Sequence, residues 1–206
     1  MSNCAVECQD DACALFGSCQ FITVTNCTFS TRWSVFRFGG GSAENITVSN
    51  CLIHDTYGCP IKLRGGEGPR LENISFSNLV MKNVTGPISI CLGPRNRRPG
   101  TPPSEQLPTE GIVRNISFRG IRATVTVPVP FPDVPFVSNY NPGEIKSCIG
   151  FSGVGGYLEN ISFDDVHITY PGGGTAEEGA VGMFRKWSAN TTRPASCPLM
   201  RCMPAM

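Results

Sequence analysis

The chain has 206 residues, enough for one domain with a sizeable core. A formal net charge of +1, with 16% charged residues, excludes both the basic footprint of a nucleic-acid binder and an acidic tail. No apolar run reaches the roughly eighteen residues of a membrane span, and the opening MSNCAVEC lacks the basic and apolar regions of a secretory leader, so neither is expected.

Taken in order, MSNC (1–4) is the tail of a unit that recurs along the chain. VECQDDACAL (6–15) follows, with Asp10 and Asp11 set inside a run that otherwise has the character of a buried strand. Full copies of the unit are FITVTNC (21–27), NITVSNC (45–51), NISFSNL (73–79), NISFRGI (115–121) and NISFDDV (160–166). Each alternates β-branched or aromatic residues with polar ones, the pattern of a strand with one buried face. A turn residue, usually Asn, comes next, then a short apolar run such as CLI or LVM. A third run closes the unit, as in CPIKL (59–63) and PISICL (87–92).

Asn3, Asn26, Asn50 and Asn78 lie 23, 24 and 28 residues apart. A period near 24 with three short strands predicts an all-β fold, a single-stranded right-handed parallel β-helix. Its coils stack about 4.8 Å apart around a shared core. The asparagines would stack at one turn, where Asn tolerates left-handed geometry and bonds along the stack. A leucine-rich repeat would require an LxxLxL pattern, which is absent.

Proline-rich insertions at 93–111 and 127–147 hold ten of the 17 prolines and leave the coil at turns. The β-helix domain is thus predicted over residues 1–180, with an irregular tail at 181–206. Eleven cysteines, an odd number without any CxxC pair, read as small apolar residues stacked in the core, with Cys4, Cys27 and Cys51 at equivalent places. The seven N-x-S/T sequons read as products of the repeat rather than glycan sites. His54 and His167 lack ligand spacing, so no metal or cofactor is expected. FGGGS and PGGGT lack the Lys-Ser/Thr of a phosphate loop and read as turns.

QDDACAL, NCTFSTRWSVFRFGG and GCPIKL, in this order and about one coil apart, resemble the motifs of glycoside hydrolase family 28, the polygalacturonase and rhamnogalacturonase β-helix family. The resemblance covers residues 1 to about 180. It implies inverting hydrolysis of a pectin-type, uronate-containing polysaccharide outside the cell or in the periplasm. One carboxylic acid protonates the leaving oxygen while another carboxylate, roughly 6.5–9.5 Å away, activates water. By the match Asp10 is the general acid, Asp11 a water-activating base, and Lys62 the partner of a substrate carboxylate.

This chain departs from the family at three points. The N-T-D-G element that carries a further catalytic Asp is not among its residues, which implies an incomplete copy. The G-H-G position reads Arg32-Trp33-Ser34, and the first residue of R-I-K reads Pro60. Arg32 is then a candidate for positive charge near the cleft and Trp33 for stacking on a sugar ring. Arg37 is a second candidate for that charge, although between Phe36 and Phe38 it reads first as outward and solvent-exposed; Arg95, Arg97 and Arg98 are candidates to attract an anionic polysaccharide but read first as a solvated loop. Two other readings stay open: a non-catalytic β-helix fragment that binds carbohydrate, and a polysaccharide lyase using a basic residue. Oligomeric state is not encoded in any of these features.

Overall fold

Asparagine sets the corners. In a computed structural model, which describes residues 1–65, 68–92, 111–126, 148–153, 156–170 and 200–204, Asn3, Asn26, Asn50 and Asn78 all sit at φ between 52° and 55°. Their short amides make this left-handed conformation tolerable, and each turns the chain from one flat segment into the next. Gly120 (φ 63°) and Asp165 (φ 52°) occupy the same corner in later coils.

Among the described residues thirteen strands result: β1 (Ala5–Cys8), β2 (Cys13–Phe16), β3 (Cys19–Thr25), β4 (Thr28–Thr31), β5 (Phe36–Gly39), β6 (Ala43–Thr56), β7 (Ile61–Gly65), β8 (Arg70–Val84), β9 (Ile88–Leu92), β10 (Gly111–Val125), β11 (Ile149–Gly153), β12 (Gly156–Tyr170) and β13 (Met200–Pro204). Every pairing is parallel. One sheet runs β1-β4-β6-β8-β10-β12-β13, with β3 beside β6; the other runs β2-β5-β7-β9-β11. Successive coils therefore supply neighbouring strands of each sheet, and the molecule is the parallel β-helix that the period predicted. The long strands β6, β8, β10 and β12 are continuous in hydrogen bonding but bend at their left-handed residues.

A second asparagine ladder, which the period alone did not single out, stacks Asn45, Asn73, Asn115 and Asn160. Their side chains bond head to tail: Nδ2 of Asn73 donates to Oδ1 of Asn45 (3.1 Å), Asn115 to Asn73 (3.0 Å) and Asn160 to Asn115 (2.8 Å). In the first ladder Asn78 donates to Asn50 at 2.7 Å. Five of the sequon asparagines, Asn26, Asn45, Asn73, Asn115 and Asn160, thus stand at ladder positions.

Inside the coils, side chains stack by type. Ile46, Ile74 and Ile116 are buried in adjacent coils, flanked by partly buried Ile22 and Ile161. Phe76 lies flat on Phe118 (5.1 Å between ring centres, 4° between planes), and Phe118 on Phe163 (5.0 Å, 8°). Each buried Phe or Ile contributes roughly 1.5–3 kcal/mol over its exposed state. The stack locks register, because a one-residue slip would turn every ring outward.

Cys4, Cys8, Cys13, Cys19, Cys27 and Cys51 are free thiols. Cys27 and Cys51 are buried as expected, each donating Sγ–H to the carbonyl two residues back at 3.2 Å. Cys4 makes the same bond to Ser2 but is exposed, because β1 is an edge strand. Burial pushes the Cys13 thiol up to about 11, which keeps it protonated and apolar in character.

The insertions at 93–110 and 127–147, with Arg95, Arg97 and Arg98, lie outside the described residues, as does most of the tail. Within the tail Met200–Pro204 form β13, parallel to β12. Among the described residues, no helix is long and apolar enough to cross a membrane.

Candidate active site

The second sheet carries the site. Along β5 and β7 the alternation buries Phe36, Phe38, Ile61 and Leu63 completely, so Arg37 and Lys62 must face outward. They are direct neighbours in register, in the ladder Ala14–Arg37–Lys62–Ser89. Two residues past Lys62 on the same face is Arg64, only 7% exposed. Gly39 lies beside it: a Cβ on Gly39 would come within 3.7 Å of the Arg64 Cβ. Three cations therefore line the start of this face.

The aspartates sit just upstream. Asp10 and Asp11 were expected on a strand with a local bend; they lie instead in the turn between β1 and β2. The turn frees both side chains from strict alternation, which is how neighbours in sequence come to share one corner. Thr31 Oγ1 donates to the Asp10 carbonyl at 2.5 Å, and the Asp11 N–H donates to Oδ1 of Asp10 at 2.8 Å. From the next coil, the Ser34 N–H donates to Oδ1 of Asp11 at 3.0 Å.

Arg32-Trp33-Ser34 likewise forms a corner between β4 and β5, not a stretch of strand. Ser34 Oγ donates to the Gly58 carbonyl at 2.5 Å, and Gly58 N–H to the Trp33 carbonyl at 3.3 Å. Gly58 lets the two corners approach closely: a Cβ would meet the Trp33 backbone at 2.7 Å. Arg32 and Trp33 are partly exposed on this turn, one coil along from the aspartates. Arg37 was expected in solvent but is half-buried. Its guanidinium donates to the Phe38 carbonyl (2.8 Å) and lies 5.8 Å over the Phe16 ring.

Electrostatics tie the group together. Desolvation raises the Asp11 pKa, opposed by the Ser34 N–H and by the charges of Arg37 and Lys62, while Asp10 adds to the rise. Burial likewise lowers Lys62 to about 8; Arg64 and Arg37 push it down, and Cys59 and Asp11 hold it up. Asp11, Arg37, Lys62 and Arg64 thus feel one another at a single corner. Asp10, beside Asp11, is the exposed member of the pair.

Arg64 was missed from sequence, although its spacing of two from Lys62 puts it on the same face. At this corner the following coils supply Trp33-Ser34, Gly58-Cys59 and Thr85, none of them acidic. Among the described residues no group of three or more His, Cys, Asp or Glu is arranged to hold a metal.

Comparison with known proteins finds no match among curated proteins and none among solved structures. The family model of glycosyl hydrolases family 28 matches residues 1–131, which include β1 to β10, the aspartate corner and its cations. On that match, the chain belongs to glycosyl hydrolases family 28.

Proposed function

We propose that the corner built by Asp10, Asp11, Arg37, Lys62 and Arg64 binds an anionic, pectin-type polysaccharide and cleaves its glycosidic bonds by acid/base hydrolysis. The observation that carries this reading is a partly desolvated carboxylate, Asp11, held among three cations on one outward face. A uronate polymer supplies the negative charges that such a face lacks.

In this reading Asp10, the exposed member of the pair, gives its proton to the leaving oxygen. Asp11, fixed by the Ser34 N–H, takes a proton from the attacking water, and its raised pKa makes it a stronger base. Lys62 pairs with the uronate carboxylate of the bound sugar, and Arg32 adds positive charge beside it. Trp33 offers its ring face to a sugar. A polymer of this kind lies outside the cell, and the reaction needs neither cofactor nor nucleic acid.

The test is release of reducing ends from polygalacturonate and from rhamnogalacturonan. Hydrolysis that disappears in both Asp10→Asn and Asp11→Asn supports the assignment. Hydrolysis left intact by either change removes that residue from the chemistry.

The absence of a carboxylate on the adjoining corner positions favours a second reading, binding without cleavage. It predicts retention of the chain on immobilised polygalacturonate, reversed by Lys62→Met, with no reducing ends formed.

A further inference from the structure

Further along the corner that carries the aspartates, two coils and more beyond them, lies a groove that Asp10 and Asp11 do not line. His54, Asp55, Lys82, Asn83, Thr124, Val125 and Thr126 enclose about 570 Å³ where β6, β8 and β10 end. Its origin is a missing residue. Between β6 and β8 the register runs His54 with Lys82 and Thr56 with Val84, leaving Asp55 opposite Asn83. Between β8 and β10 it runs Thr124 with Lys82, then Val125 with Val84, so nothing in β10 stands opposite Asn83.

The side-chain ladder that starts here therefore stops. Asn83 Nδ2 donates to Oδ1 of Asp55, but Oδ1 of Asn83 accepts no hydrogen bond among the described residues. At the other ladder the oxygens of Asn45, Asn73 and Asn115 are each taken by the next coil. The gap leaves several polar groups around one space. They are an amide acceptor on Asn83, an ammonium on Lys82, hydroxyls on Thr124 and Thr126, and the His54 ring.

Their chemistry selects the ligand. Asp55 has a lowered pKa, from its bond to Asn83 and then from His54, so it is ionised and can only accept. His54 Nδ1 therefore donates to Oδ2 of Asp55 at 2.8 Å, which leaves Nε2 for a ligand. A free anion meets the Asp55 charge, while a metal finds one carboxylate with both oxygens engaged and an ammonium beside it. A neutral polyol suits the mixture of donors and acceptors, with Val125 as an apolar wall.

We propose that this groove binds a neutral pyranose, either a free sugar or a side-chain residue of a larger polysaccharide. Lys82, Thr124 and Asn83 supply the hydrogen bonds to its hydroxyls.

The test is amide chemical-shift mapping of the full chain titrated with methyl pyranosides of galactose, glucose, mannose and rhamnose. At least one should move the amides of His54, Lys82, Asn83 and Thr124 while leaving Asp11, Ser34 and Lys62 unmoved. Lys82→Met and Thr124→Val keep the Asp55–Asn83 bond, and each should weaken that binding by about tenfold, the loss of one hydrogen bond to a charged or well-oriented group. Inserting one asparagine between Thr124 and Val125 would restore the register, refill the gap and abolish binding. No shifts with any of the four sugars, shifts confined to the aspartate corner, or binding unchanged in all three variants would overturn the proposal. None of these results bears on hydrolysis at Asp10 and Asp11.

Discussion

Ser34 donates its backbone N–H to Oδ1 of Asp11 at 3.0 Å, so a carboxylate in one coil is gripped by the main chain of the next. No side-chain change at Ser34 removes that donor. Ser34→Ala is therefore expected to leave the position of Asp11 intact and to lose only the 2.5 Å bond from Oγ to the Gly58 carbonyl. That leaves one buried acceptor unpaired, at about 1–3 kcal/mol, read as a lower midpoint of chemical denaturation. Loss of activity far beyond the loss of stability would assign the hydroxyl a chemical role instead.

Lys62 makes the corner sensitive to alkali. Its folded pKa, about 8, lies below the ordinary value of 10.5, so the folded state gives up this proton first. Holding the charge costs stability at neutral pH, and the cost is relieved as pH rises from about 8 toward 10.5. Affinity for polygalacturonate should fall over the same lower boundary, because the ammonium is lost while Arg37 and Arg64 stay charged. Affinity measured from pH 6 to 10 should show this step in the wild type and lack it in Lys62→Met.

Gly58→Ala would place a methyl group 2.7 Å from the Trp33 backbone. The two corners must then separate, at a cost of about 1–3 kcal/mol, and Trp33 must shift. Tryptophan fluorescence and a denaturation curve read both effects; an unchanged spectrum would contradict the packing.

Asn73 holds a left-handed φ of 55° while bonding to Asn45 and Asn115. Asn73→Ala loses both bonds and gains backbone strain, for an expected loss of about 2–3 kcal/mol. Asn73→Gly loses the bonds but keeps the backbone at ease, so it should retain more stability than the alanine variant. Equal midpoints for the two variants would show that the conformation carries no cost.

Glu72 is buried between Arg70 (2.5 Å) and Arg114 (2.7 Å). Glu72→Gln keeps the shape but leaves two guanidinium groups facing each other. Breaking a buried pair from one side costs about 3–5 kcal/mol, lessened here because both arginines reach solvent. Thermal unfolding of the variant tests this.

The coils were legible because they follow from short-range rules: Asn3, Asn26, Asn50 and Asn78 recur at the period, and apolar residues alternate between them. Resemblance to family motifs brought Asp10, Asp11 and Lys62 into view, and the structure gathers Asp11 and Lys62 into one electrostatic cluster. Arg64 escaped because burial of a charged side chain depends on what the adjacent coil omits, here a side chain at Gly39. The turn at Asp10–Asp11 escaped too, since apolar residues on both sides of a corner look like one strand. The gap opposite Asn83 is a difference of one residue between two coils, visible only once their register is known.

The amide ladders all point one way. From Asn160 back to Asn45, from Asn78 to Asn50 and from Asn83 to Asp55, the later coil gives the hydrogen and the earlier coil receives it. At Asp55 the direction is forced, because an ionised carboxylate has no hydrogen to give. Aligned in series, these dipoles polarise one another, and the rod acquires an electrical polarity with its positive pole toward the coils of Asp10 and Asp11. A repeating side chain chosen to turn the backbone thus also lays a weak field along the axis, oriented to favour negative charge where this chain keeps its carboxylates.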